Sequence, residues 1–220
     1  MISIEQLLAT VDHTALSPTA TEEDLLTLCE EARRFRTASV CIPPSYVKLA
    51  ARTLAGDIPI CTVIGFPTGY ATTDVKCNET ALAVADGADE IDMVINLGWV
   101  KDGRYDDVLE EIRAVKSVCG DRILKVIIET CLLTDEEKIQ LCDIVSRSGA
   151  DFIKTSTGFS TGGATLADID LFRTHIYGKV RIKASGGIRT LADARDFLEH
   201  GAHRLGTSAI VRLVKAGETT

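Results

Sequence analysis

Residues 151–158 read DFIKTSTG. An apolar run carries a lysine at its centre, followed by three hydroxyl residues and a glycine. Extended backbone puts Phe152, Lys154 and Ser156 on one face and Ile153 and Thr155 on the other. Lys154 is therefore aimed into whatever lies behind that strand. Burying an unpaired ammonium is costly, and the escapes are a partner carboxylate or a lowered pKa. A neutral lysine amine attacks carbonyls. This stretch alone does not separate that nucleophile from a lysine whose head group reaches solvent at the strand end.

The same pattern repeats outward in both directions. Upstream, strands are expected at residues 90–96 and 123–130, each followed by a helix, 105–118 and 134–148. Gly120 and Gly149 stand just past those helices, the usual place for a left-handed stop. Downstream come a helix at 166–176, a strand at 180–185, a helix at 191–200, a short strand at 204–206 and a last helix at 208–215. Towards the N-terminus lie strands near 10–14, 39–42 and 58–66, and helices starting at Thr21, Tyr46 and Thr73. Thr21 with Asp24 makes an N-terminal capping pattern, as Ser3 with Gln6 does for a lead-in helix over 3–9. Eight strands alternating with helices imply a parallel sheet. Eight units over 220 residues fit one closed (β/α)₈ TIM barrel spanning 1–220 after its short lead-in helix. An open doubly wound sheet is disfavoured, because no dinucleotide fingerprint follows the first strand.

One face of these strands is aliphatic and the other polar. Ile91, Met93 and Ile95 oppose Glu90, Asp92 and Asn96. Leu124, Val126 and Ile128 oppose Lys125 and Glu129. Val180, Ile182 and Ala184 oppose Arg181, Lys183 and Ser185, and Val11 and His13 oppose Asp12. If the aliphatic faces meet the helices, Asp12, Asp92, Lys125, Lys154 and Lys183 share the barrel interior, which is usually apolar. A structural ion-pair network would account for them, but clustered buried charges more often mark function. With two ammonium groups ~6 Å apart at an effective dielectric of ~20, repulsion is about 2–3 kcal/mol, or ~2 pKa units. That brings one of Lys154 and Lys183 towards neutrality, with Asp92 and Asp12 left to hold the other and to move protons.

Glycine-rich turns follow the last strands: Gly158 with Gly162 and Gly163, then Gly186-Gly187 before Arg189, then Gly206 before Ser208. A single such turn is only a tight connection. Three in succession offer backbone N–H groups to an anion, at the end of a barrel where phosphate commonly binds. His13, His175, His200 and His203 show no metal-ligand spacing. Trp99 and Tyr105 read as a cap over the rim, and Cys41 as a buried thiol.

The net charge of −8 argues against nucleic acid as a partner. Seven cysteines with no CxxC read as reduced thiols of a cytoplasmic protein. The first residues, MISIEQLLATVDH, lack the basic start and apolar core of an export signal. No apolar run reaches membrane-spanning length, so no membrane partner is expected.

The strings EIDMVIN, KVIIET, FIKTSTGF and KASGGIR, in this order between VDHTAL and LGTSAI, resemble the deoxyribose-phosphate aldolases, class I aldolases, over nearly the whole chain. The resemblance implies a (β/α)₈ barrel without metal or cofactor. It implies reversible cleavage of 2-deoxy-D-ribose 5-phosphate to D-glyceraldehyde 3-phosphate and acetaldehyde, in deoxyribose phosphate catabolism. By position, Lys154 is the Schiff-base lysine, Lys183 the second lysine, Asp92 the acid–base carboxylate, and Asp12 its assistant. Lys125 supports Asp92, and Gly158, Gly186, Gly187, Arg189, Gly206 and Ser208 bind phosphate. Two features depart from some members: Phe159 stands where they have a lysine, and the chain ends in AGETT rather than in a tyrosine. The expected partners are small phosphosugars and aldehydes, with a homodimer or higher homo-oligomer as the assembly. A metal-free phosphosugar isomerase and a non-catalytic phosphosugar-binding barrel are the alternatives.

Overall fold

Eight parallel strands close on themselves in sequence order, β1 (Val11–Thr14), β2 (Ser39–Ile42), β3 (Ile60–Ile64), β4 (Glu90–Val94), β5 (Ile123–Ile127), β6 (Phe152–Lys154), β7 (Arg181–Ser185) and β8 (Arg204–Thr207). The coordinates are a computed structural model that describes residues 2–217. The end of the AGETT tail lies outside the described residues. Helices α1 (Ile4–Leu8), α2 (Glu22–Phe35), α3 (Val47–Leu54) and α4 (Thr73–Asp86) precede or follow the first three strands. Then come α5 (Leu97–Lys101), α6 (Tyr105–Cys119), α7 (Asp135–Ser148), α8 (Leu166–His175), α9 (Leu191–His200) and α10 (Ile210–Lys215). No helix among the described residues is long and apolar enough to cross a membrane.

Local chemistry sets these boundaries. Ser3–Gln6 and Thr21–Asp24 form the expected capping boxes, and Thr134–Glu137 and Thr190–Asp193 form two more. Each satisfies orphan N–H groups of the first helical turn. Gly87, Gly149 and Gly201 end α4, α7 and α9 in the left-handed region. Outward residues such as Ile91, Met93, Leu124, Val126, Ile153 and Ile182 are buried against the helix ring. Each contributes roughly 1.5–3 kcal/mol of burial.

Four strands are shorter than their apolar runs suggest: β3 covers 60–64 of the expected 58–66, β6 covers 152–154 of 152–156, and β4 and β5 also end early. β4 stops at Val94, and Asn96 instead caps α5 by accepting the Trp99 N–H. α5 is absent from the sequence reading, which took 90–96 as strand; Trp99 lies on it and Tyr105 opens α6. β5 stops at Ile127, because Glu129 takes a left-handed backbone (φ 56°) that no strand continues through.

Candidate active site

Parallel register lines up the polar residues as rings inside the barrel. Asp92 is level with Lys125, Lys154 with Lys183, Lys183 with Arg204, and Asp12 with Gly206 and Ser39. Gly206 leaves the space this requires: a Cβ there would lie 3.1 Å from Lys183 Cε and 2.9 Å from Ser185 Cβ.

Asp92 is the hub. Its Oδ2 accepts hydrogen bonds from Lys154 Nζ and Lys183 Nζ, each at 2.7 Å. Its Oδ1 accepts from Lys125 Nζ at 2.8 Å and from the Cys61 thiol at 3.1 Å. Asp12 accepts from Lys183, from Arg204 Nη1 at 2.5 Å and from Ser39 Oγ at 2.8 Å. Glu90 closes the network on Lys125 at 2.6 Å and Arg204 at 3.0 Å. Phe152 forms the floor, with the Arg181 guanidinium 4.1 Å and the Arg204 guanidinium 5.7 Å from its ring centre.

The five interior residues expected from the alternation are thus brought together, and two others join them. Arg204, on the short strand expected at 204–206, is not among those five. Its signal was parity, two residues before the inward-facing Gly206. Glu90 stood on the polar face without a role.

Burial by itself favours the uncharged forms. For Asp12 it is outweighed by Lys183, Lys125 and Arg204, and for Asp92 by Lys125, Lys154 and Lys183, so both carboxyls are held below the usual carboxylate range. For Lys183 burial is outweighed by Asp12 and Asp92, and for Lys125 by Asp92 and its other anionic neighbours. Both ammonium groups are held above the usual lysine range. The sequence expectation of two lysines repelling one another directly is corrected here: a carboxylate oxygen lies between them and accepts from both.

Four cations (Lys125, Lys154, Lys183, Arg204) face three carboxylates (Asp12, Glu90, Asp92), an excess of one positive charge. Of the four, only Lys154 reaches the cavity beside the strand ends. This cavity, about 630 Å³, opens at the C-terminal ends of β6, β7, β8 and β1. Gly158, Gly186, Gly187, Arg189, Gly206 and Ser208 all line it. Gly186 and Gly187 both sit at φ +80°, turning the chain sharply over the cavity, a conformation that favours glycine. Gly163 serves a different purpose. A Cβ there would come within 2.4 Å of the Gly186 backbone, so Gly163 lets two loops stack.

Glu129, expected on the polar face beside Lys125, joins the site from just beyond β5. Its carboxylate accepts the Thr157 N–H at 3.2 Å and the Thr157 hydroxyl at 2.5 Å. The turn that follows Lys154 is thereby tied to the end of β5. Phe159 lines the same cavity and packs edge-on against Phe66, ring centres 5.3 Å apart. Cys41 is buried inside the barrel, level with Cys61. His13 points outward instead and meets Glu31 at 2.9 Å.

The sequence profile of the DeoC/LacD family aldolases matches residues 6–210. The deoxyribose-phosphate aldolase of Clostridioides difficile (strain 630) is 54% identical over 217 residues, covering 99% of either chain. That of Streptococcus pyogenes serotype M28 (strain MGAS6180) is 56% identical over 214 residues, 97% of this chain and 96% of its own. Among solved structures, the tetrameric deoxyribose phosphate aldolase from Aeropyrum pernix matches with a TM-score of 0.90. It is 32% identical, over 98% of this chain and 94% of that one.

Proposed function

The chain belongs to the DeoC/LacD family of aldolases, and from that premise we propose that it cleaves 2-deoxy-D-ribose 5-phosphate reversibly through a Schiff base on Lys154. One observation carries the residue assignment. Lys154 Nζ is 2.7 Å from Asp92 Oδ2 and, alone among the interior cations, borders the cavity. It also has the fewest carboxylate partners: Lys154 pairs with Asp92 alone, Lys183 and Arg204 with two carboxylates each and Lys125 with three.

The neutral amine adds to C1 of the open-chain aldehyde, and loss of water gives an iminium. Lys183, held as an ammonium by Asp12 and Asp92, is the acid for that dehydration. A base, Asp92 directly or through water, removes the C3 hydroxyl proton. The C2–C3 bond then breaks with its electron pair passing into the iminium. Carbons 3 to 5 leave as glyceraldehyde 3-phosphate, and carbons 1 and 2 remain as an enamine on Lys154. Protonation at C2 and hydrolysis release acetaldehyde and restore the amine. The glycine turns with Arg189 and Ser208 hold the phosphate, which contributes orientation rather than chemistry. The scheme uses no metal or cofactor.

The substrates are small phosphorylated sugars and aldehydes, and seven free cysteines fit a reducing cytoplasm. The tetrameric relative from Aeropyrum pernix supports assembly of several copies. Sodium borohydride added with substrate should leave a reduced two-carbon adduct on the peptide containing Lys154, and Lys154→Leu should be inactive. A wild-type chain that cleaves the sugar without that mass shift overturns the Schiff-base assignment. A phosphosugar isomerase would form no imine, and a non-catalytic binding protein no product.

A further inference from the structure

Four of the residues that line the cavity beyond Lys154 are glycines, Gly158, Gly186, Gly187 and Gly206, which carry no charge of their own. Among the described residues no carboxylate lines it, and three cations do: Lys154, Arg189 and Arg212. One of these is already engaged. Lys154 is paired with Asp92. Arg189 stands over the start of α9, where Asp193 accepts its backbone N–H at 3.0 Å and lies within the field of its guanidinium. Arg212, in the first turn of α10, has no hydrogen-bond or ion-pair partner among the described residues. Phe159, packed against Phe66, makes its side of the cavity apolar.

We propose that Arg212 is a specificity-determining residue, whose guanidinium pairs with the substrate phosphate and selects phosphorylated over neutral sugars. This rests on the function proposed above. A phosphate monoester carries close to two negative charges at neutral pH. Arg189 and Arg212 together supply two positive ones, and a guanidinium can bind phosphate oxygens through two parallel hydrogen bonds. Arg189 precedes α9 and Arg212 lies on α10, so the two reach the same cavity from different elements.

The test uses the full chain with Arg212→Gln and Arg212→Lys. Each is assayed on 2-deoxy-D-ribose 5-phosphate and on unphosphorylated 2-deoxy-D-ribose. The ratio of the two kcat/KM values should fall about 10–100-fold in Arg212→Gln, through KM for the phosphorylated sugar, with Arg212→Lys between it and wild type. Inorganic phosphate, titrated by calorimetry, should bind Arg212→Gln more weakly by a similar factor. A ratio and a phosphate affinity both within twofold of wild type would overturn the proposal. So would an equal loss on both sugars, which marks a structural role. Failure of the wild type to cleave the sugar would instead sink the proposed function, and phosphate titration would still decide whether Arg212 binds the anion.

Discussion

Inside the barrel, Lys183 touches two carboxylates, and Asp92 is touched by three lysines. Outside it, between the sheet and helices α4 and α6, Lys76 meets Glu111 at 2.8 Å and also donates to the Val94 carbonyl at 2.8 Å. Lys76, Glu111, Lys183 and Asp92 are all buried. Their titration runs in opposite senses. In the outer pair burial wins: it lowers Lys76 and raises Glu111 against their mutual attraction. In the inner cluster each charge has several opposite partners, and attraction wins: Lys183 is raised and Asp92 lowered. One partner does not offset the cost of leaving water, whereas a shared network does. The outer pair is balanced one to one and borders no cavity described here. The inner cluster carries an excess positive charge and opens to a cavity at Lys154. Burial of charge is common to both; uneven balance next to open space is what sets the inner one apart.

The largest expected effect breaks the inner network at Lys183. Lys183→Leu should lower kcat by ~10³-fold or more, roughly 4 kcal/mol of barrel chemistry. Thermal unfolding should confirm that the variant remains folded. A folded variant with more than a tenth of wild-type kcat would show that Lys183 is as idle as Lys76. At the outer pair the effect should fall on stability instead. Lys76→Met leaves Glu111 without its cation and should cost about 3 kcal/mol in denaturant unfolding. The kcat per folded molecule should be unchanged. Adding Glu111→Leu should return roughly 2 kcal/mol of that loss, because no lone buried charge remains. A double variant no more stable than the single one would mean that the Val94 carbonyl and the Asn96 N–H, both served by the pair, matter more than the charges.

The two clusters were not equally legible in the sequence. Asp12, Asp92, Lys125, Lys154 and Lys183 stood out because a strand has a period of two, so a charge opposite an aliphatic face must enter the barrel. Lys76 lies on a helix, where a lysine reads as solvated. Only the structure brings it under β3, against Gly65, where a Cβ would lie 2.8 Å from Lys76 Cε. Eight strand–helix units announced the barrel. α5 escaped because five residues containing a glycine show no helical period; the Asn96 cap was its one signal. The left-handed backbone at Glu129 was not readable, because nothing in its side chain announces it. Residues that act through a strand face were readable, and those that act through a loop conformation or a helix docking position were not.

The smallest effect is the most discriminating, because it depends on the sign of the titration. Glu111 is raised above 4.5 in the folded chain, so its stabilising contribution is complete below pH 4.5 and is lost as pH rises through the folded value. Lys76 is lowered below 10.5, so its contribution is complete above pH 10.5 and is lost as pH falls through the folded value. The ionised outer pair therefore stabilises least between these two windows, near neutrality. Lys76→Met with Glu111→Leu titrates at neither site. Its unfolding free energy relative to wild type should be most favourable near pH 7 and should decline by about 1 kcal/mol towards pH 4.5 and towards pH 10.5. The inner cluster predicts the reverse curvature. Asp92 is lowered and Lys183 raised, so their contributions hold from the carboxylate range up to the lysine range and fade only outside it. If the outer variant's relative stability were instead poorest near pH 7, attraction would exceed burial at Lys76–Glu111, and the contrast between the two clusters would reduce to the cavity beside Lys154.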